Sequence, residues 1–66
     1  MKVGEALLLA RKRNGLTQRE VADALGVVHV TIGRWENGHS EPAVSQLIQL
    51  SKVYKTSLGE LCGLEQ

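Results

Sequence analysis

The side chains best suited to chemistry gather in one window: His29, Val30, Thr31, Gly33, Arg34 and Asn37. In a helix, successive residues turn by about 100°. Val28, Ile32 and Trp35 then share one arc, while Val30, Gly33, Arg34 and Asn37 share the opposite one. The first arc suits burial. The second presents a guanidinium fork, a carboxamide and apolar methyl groups, with a glycine that permits close approach. His29 begins the window, where a phosphate or a base edge is in reach, and Thr31 adds a hydroxyl. Such groups match the major-groove edges of base pairs. Arginine pairs with guanine O6 and N7, and valine touches thymine methyls. Without a ligand, the same residues are a solvated arginine, an exposed valine and a glycine costing about 1 kcal/mol relative to alanine.

Other chemistries fare worse. His29, His39 and the single cysteine, Cys62, contain no pair at helical ligand spacing, so no metal site is expected. One cysteine also excludes an internal disulfide and reads as a small apolar packing residue. Ser, Thr and His occur, but no strand-turn-helix elbow or third partner supports a catalytic triad. An enzyme and a cofactor are not expected. The longest apolar run, Ala6 to Ala10, is too short to span a bilayer. Glu5 falls where a signal peptide needs apolar residues. A cytoplasmic location follows as the expectation.

The elements that must position the window come from the punctuation. The 66 residues carry a net charge of +1 and read as a single domain, 1–66. Between residues 11 and 34 lie five basic side chains (Arg11, Lys12, Arg13, Arg19 and Arg34) against Glu20 and Asp23, so the charge is polarised. No run alternates with period two, and an all-α fold is expected. Asn14-Gly15, Gly26, Asn37-Gly38 and Pro42 cut the chain into five helical segments. The first runs from about Val3 to Arg13, with Val3, Ala6, Leu7 and Ala10 on one side. Thr17 and Glu20 form a capping box for the second, about 18–25. The third covers about 28–37 and ends at Gly38. Pro42 opens the fourth, about 43–54, whose apolar set is Val44, Leu47, Ile48, Leu50 and Val53. The fifth runs from Ser57 to about Cys62, with Leu58 and Leu61 inward. Two short helices around a glycine turn, the second with a split face, read as a helix-turn-helix.

Gly15-Leu16-Thr17-Gln18, Val21-Ala22, Leu25-Gly26-Val27, Ile32, Arg34-Trp35-Glu36-Asn37-Gly38 and Pro42 together resemble the phage repressor and Cro family. This is the xenobiotic-response-element-like class of helix-turn-helix DNA-binding domains, with the lambda repressor-like fold. Leu47, Leu50, Val53, Leu58 and Leu61 continue the match, which covers about residues 3–62. The resemblance implies a compact five-helix bundle with the third helix in the major groove of a palindromic operator. It implies that Gln18 contacts phosphate and braces the groove-facing side chains, and that Asn37 meets a phosphate. It implies base reading by the positions of His29, Val30, Gly33 and Arg34. It also implies an ion pair between Arg11 and Glu36. Two residues depart from the pattern. Val28 stands where the family usually has a capping Ser or Thr, and Leu8 where it often has a basic residue.

The function expected from this reading is a sequence-specific regulator of transcription, a repressor, that binds double-stranded DNA as a homodimer. One short reading helix contacts few base pairs, so two copies one helical turn apart are expected. Tyr54, Leu58, Leu61 and Leu64 are the apolar residues assigned to the subunit contact. The competing reading is a protein-interaction module, such as an antitoxin, whose partner covers the third helix or the Leu8–Leu9 surface.

Overall fold

Helix starts and stops are written locally in this chain. The computed structural model describes residues 3–62. Within them lie α1 (Val3–Arg13), α2 (Gln18–Leu25), α3 (His29–Glu36), α4 (Val44–Tyr54) and α5 (Leu58–Leu61), with no strand among the described residues. The fold is all-α. Thr17 Oγ1 accepts from the Glu20 N–H at 3.1 Å, and Glu20 Oε1 accepts from the Thr17 N–H at 2.8 Å. This reciprocal box starts α2. Ser57 Oγ accepts from the Glu60 N–H at 3.1 Å and starts α5. The fourth helix begins later than Pro42 suggests. Gln46 Oε1 accepts from the Ala43 N–H at 2.8 Å, which makes Ala43 the cap and Val44 the first helical residue.

Helices α1 to α4 end alike. After each, one residue turns left-handed and two N–H groups reach back to the last-turn carbonyls, the Schellman arrangement. Gly15, Gly26 and Gly38 take that place with φ of 67°, 74° and 79°. After α3, the Gly38 N–H donates to Trp35 O at 3.2 Å and the His39 N–H to Arg34 O at 2.9 Å. After α4 the position is Lys55, with φ 52°. A residue with a Cβ is strained there, and glycine is not.

The core is Val3, Leu7 and Ala10 of α1, Val21 and Ala22 of α2, Ile32 and Trp35 of α3, Leu50 and Tyr54 of α4, and Leu61 of α5. Leu16, Leu25, Val27, Leu47 and Val53 pack around it. Two members of the expected α4 set are outside: Val44 is 69% exposed and Ile48 42%. The inward arc of α4 is filled by Leu47, Leu50, Val53 and Tyr54. Tyr54 therefore belongs to the core, as does Leu61, and neither offers a surface to a second subunit. Leu58 is exposed rather than inward, and Leu64 lies outside the described residues.

Three contacts set α1 against the other helices. An added Cβ on Gly4 would come within 2.6 Å of Glu36 O and 2.8 Å of Trp35 O, so α1 touches the end of α3 backbone to backbone. The Arg11 guanidinium donates to Glu36 through Nε at 2.6 Å and Nη2 at 3.1 Å. Its Nη1 donates to Leu16 O at 3.0 Å. The bond to Glu36 raises the Arg11 pKa, against desolvation that lowers it. The Asn14 carboxamide donates to Ala10 O at 2.8 Å and to Tyr54 O at 2.9 Å, joining the ends of α1 and α4. Near the ion pair, the Tyr54 hydroxyl is buried with no hydrogen-bond partner among the described residues. Burial first, then the charge of Glu36, pushes its pKa up to about 12, while Arg11 opposes them.

Three stability measurements check this packing. Gly4→Ala should cost about 1–3 kcal/mol, because backbone must move, whereas Lys55→Gly should gain about 1 kcal/mol by removing left-handed strain. Chemical denaturation reads both, and equal signs would refute the assigned geometry. In a double-mutant cycle, Arg11→Met or Glu36→Gln alone should each cost about 3 kcal/mol by stranding a partner in a poorly hydrated site. The double variant should cost much less than their sum; additive losses would mean no coupling. For Tyr54 the sign is fixed by the raised pKa. The unfolded phenol ionises near pH 10 and the folded one near 12. Its contribution is therefore complete below about pH 10 and is lost as pH rises toward 12. Tyr54→Phe should melt above the wild type at pH 11, with the difference shrinking to a small offset at pH 7. A difference independent of pH would overturn the assignment.

Candidate nucleic-acid interface

α2 and α3 form the helix-turn-helix, joined through Gly26, Val27 and Val28. The inner side of α3 is anchored by Ile32 and Trp35, both buried. On the outer side Val30, Arg34 and Asn37 are exposed, and His29, Thr31 and Gly33 are half-buried along its edges. The period of the helix therefore separates the two faces as the residue types require. Val28 is the exception. Periodicity places it on the buried arc, but it is 68% exposed. It precedes the helix with extended backbone, φ −78° and ψ 149°, so helical periodicity does not govern its direction. Asn37 is the residue that caps the other end.

Gln18, the first residue of α2, reaches across to α3. Its Nε2 donates to Glu36 Oε1 at 3.0 Å. An added Cβ on Gly33 would lie 3.4 Å from that Nε2 and 3.6 Å from Oε1. Those are ordinary van der Waals distances, so the carboxamide lies against α3 at Gly33 and an alanine would fit beside it. Spacing alone suggests only that Gly33 clears space for a base edge. The Glu36 carboxylate consequently accepts from both Arg11 and Gln18, and its side chain is only 4% exposed. The orientation of Gln18 is fixed by a group that itself faces inward.

Charge is distributed around this frame. Arg11 is neutralised by Glu36, whereas Lys12, Arg13, Arg19 and Arg34 are exposed. Glu20 is engaged in the α2 cap. Gly4 and Asn14 carry structural roles that no motif announces. Gly4 meets α3 across more than thirty residues of sequence, and Asn14 reads locally only as part of a turn. A shallow depression of about 310 Å³ lies where α1 meets the end of α3, lined by Gly4, Glu5, Trp35, Asn37 and Glu41 among others. Among the described residues no three His, Cys, Asp or Glu side chains converge as a metal site. No described helix is long and apolar enough to cross a membrane.

Comparison with known proteins agrees with this geometry. Residues 7–61 match the family described as helix-turn-helix. The HTH-type transcriptional regulator DicA of Escherichia coli is 42% identical over 57 residues, covering 86% of this chain and 42% of that protein. The cryptic phage CTXphi transcriptional repressor RstR of Vibrio cholerae is 32% identical over 63 residues, covering 96% and 56%. The chain thus spans about half the length of these curated relatives. Among solved structures, the P22 c2 repressor in complex with synthetic operator 9T superposes with a TM-score of 0.89 at 29% identity, covering 98% of each chain. A transcriptional regulator from Listeria innocua superposes with a TM-score of 0.87 at 30% identity, over 97% of this chain and 60% of the other. With its two-sided α3 and a match over residues 7–61, the chain belongs to the helix-turn-helix family.

Proposed function

We propose that this chain is a sequence-specific regulator of transcription, a repressor, which binds double-stranded DNA as a homodimer on a palindromic operator. The observation that carries the reading is the exposed face of α3, Val30, Arg34 and Asn37, backed by buried Ile32 and Trp35 and braced through Gln18. A helix so backed can enter the major groove as a rigid body. That the P22 c2 repressor, which shares this fold, is seen in complex with a synthetic operator supports DNA as the partner. In the proposal Arg34 reads a guanine, and His29, Thr31 and Gly33 line the groove wall. Gln18 and Asn37 meet phosphates, and exposed Lys12, Arg13 and Arg19 add field strength. Leu58 and Leu64 serve the subunit contact. The proposal includes no catalytic step and no cofactor, and places the protein in the cytoplasm.

Arg34→Ala should cost about 1–3 kcal/mol in operator binding and relax preference at one base pair per half-site. Gln18→Ala should weaken binding evenly across sequences. Both are read by titrating duplexes selected from a random pool, at several salt concentrations. Affinity should fall steeply with salt, as counterion release demands. Weak binding insensitive to salt, or an Arg34→Ala variant with unchanged affinity and preference, would sink the proposal and favour a protein partner.

A further inference from the structure

Two Asn-Gly pairs end helices in this chain, Asn14-Gly15 after α1 and Asn37-Gly38 after α3. Such a pair has a chemistry beyond stopping a helix. The asparagine Cγ stands one carbon from the backbone, so the next amide nitrogen can attack it and close a five-membered ring. Glycine admits this most readily, because no Cβ shields its nitrogen. Backbone geometry does not separate the two pairs. Both glycines are left-handed, with φ of 67° and 79°. The Gly15 N–H donates to Lys12 O at 3.1 Å and the Gly38 N–H to Trp35 O at 3.2 Å. At both, the space where a Cβ would stand is open. The side chains do differ. The Asn14 carboxamide nitrogen is held by Ala10 O at 2.8 Å and Tyr54 O at 2.9 Å. To turn its Cγ toward Gly15, Asn14 must give up both bonds, and the nitrogen so held is the leaving group. Asn37 is exposed, and its side chain makes no hydrogen bond among the described residues. Its carboxamide can rotate.

We propose that Asn37-Gly38 is a site of spontaneous deamidation that inactivates the protein while it is off DNA, and that the fold preserves Asn14-Gly15. In this step the Gly38 nitrogen gives its proton to water or hydroxide and bonds to Asn37 Cγ. The Cγ–Nδ2 bond breaks, and the nitrogen takes a proton and leaves as ammonia. Water then opens the ring at either carbonyl, giving aspartate or isoaspartate at position 37, and nothing is oxidised or reduced. Both products put a carboxylate at the end of α3, where the helix dipole disfavours an anion. Isoaspartate also lengthens the backbone by one carbon. That spoils the register of the bonds from the Gly38 N–H to Trp35 O and from the His39 N–H to Arg34 O. The loss of function rests on the groove reading above, in which Asn37 meets a phosphate. A carboxylate there returns repulsion instead of a bond. A bound duplex engages the Asn37 carboxamide as the fold engages that of Asn14, so bound protein is spared.

The test incubates the full chain at neutral pH alone, with a duplex selected from a random pool, and in urea. Peptide mass spectrometry reads the gain of one mass unit at each asparagine. In urea both pairs should convert. In the folded chain Asn37 should convert several-fold faster than Asn14, and a saturating selected duplex should slow it several-fold. Equal rates at the two sites, or no conversion of Asn37 in the folded chain, would overturn the site. Loss of operator binding should track conversion at Asn37. Asn37→Asp should bind at least about tenfold more weakly from the start, since a hydrogen bond to a charged group is lost. Asn37→Gln, whose longer arm closes the ring poorly, should keep whatever affinity it begins with throughout the incubation. An Asn37→Asp variant that binds as the wild type does would overturn the inactivation and leave the groove reading standing. A duplex that binds without slowing conversion would overturn the protection. A chain that binds no duplex would overturn the groove reading and the inactivation together, while the mass spectra decide the modification site independently.

Discussion

The carboxylate of Glu36 is the point on which the arrangement of three helices depends. It lies in the last turn of α3, where the helix dipole is unfavourable to an anion. Its side chain is almost entirely withdrawn from water. Both facts would expel it were it not for three N–H donors: two from the Arg11 guanidinium and one from Gln18. Arg11 sits in the last turn of α1, the end of a helix that favours a cation. The pair therefore joins one well-placed charge to one ill-placed charge. Nη1 of Arg11 reaches Leu16 O, in the turn that feeds α2. A single ionic cluster thus fixes the C-terminal end of α3 against α1 and against the start of α2.

A consequence is that α3 is held asymmetrically. At its back end it has the Glu36 cluster, the backbone contact at Gly4 and the buried Trp35. At its front end it has no side-chain cap. Stability is concentrated where the helix meets the protein. The residues at the opposite end are left without duties in the core. This division lets the exposed residues of the first turn vary without loosening the frame that positions the helix.

The folding signals that are local are legible in the residues. Thr17 with Glu20 announces α2, and glycines at 15, 26 and 38 announce three helix ends, because each acts within a few residues. The fourth end, at Lys55, carries the same left-handed turn without a glycine to announce it. What residue type and spacing do not fix is direction. Helical periodicity misplaces Val28, because its backbone is extended. Val44 and Ile48 are apolar and so point inward on paper, although the inward arc of α4 is filled by Leu47, Leu50, Val53 and Tyr54. Tyr54 is assigned by its sequence to the subunit contact as an apolar residue without other duties, yet it is buried in the core. The Gly4 approach has no local sign, since its partner carbonyls become neighbours only after α1 and α3 pack. For the candidate site, the face of α3 is readable from residue types. The way Gln18 lies along Gly33 to reach Glu36 is not, since that geometry arises between elements.

Under the proposed function, the dimensions of α3 bear on why one copy would be insufficient. Its eight residues rise about 12 Å, at about 1.5 Å each. Along a base stack rising about 3.4 Å per step, that length faces fewer than four base pairs. The braced back end shortens the useful part further, because Glu36 faces inward and only the first two turns remain to read. Each well-placed contact discriminates by a few kcal/mol at most, and the competing sites on any genome are numerous. Under the proposed function, specificity must then come from repetition of the same short helix by a second copy, with a fixed separation between the two. The fixed separation is what a rigid frame supplies. A helix free to pivot about its base would let the spacing between half-sites drift and would forfeit the gain from the second copy. The buried cluster at Glu36 and the turn of base pairs between half-sites are in this sense two parts of one constraint, the first setting the angle of each reading helix and the second testing it.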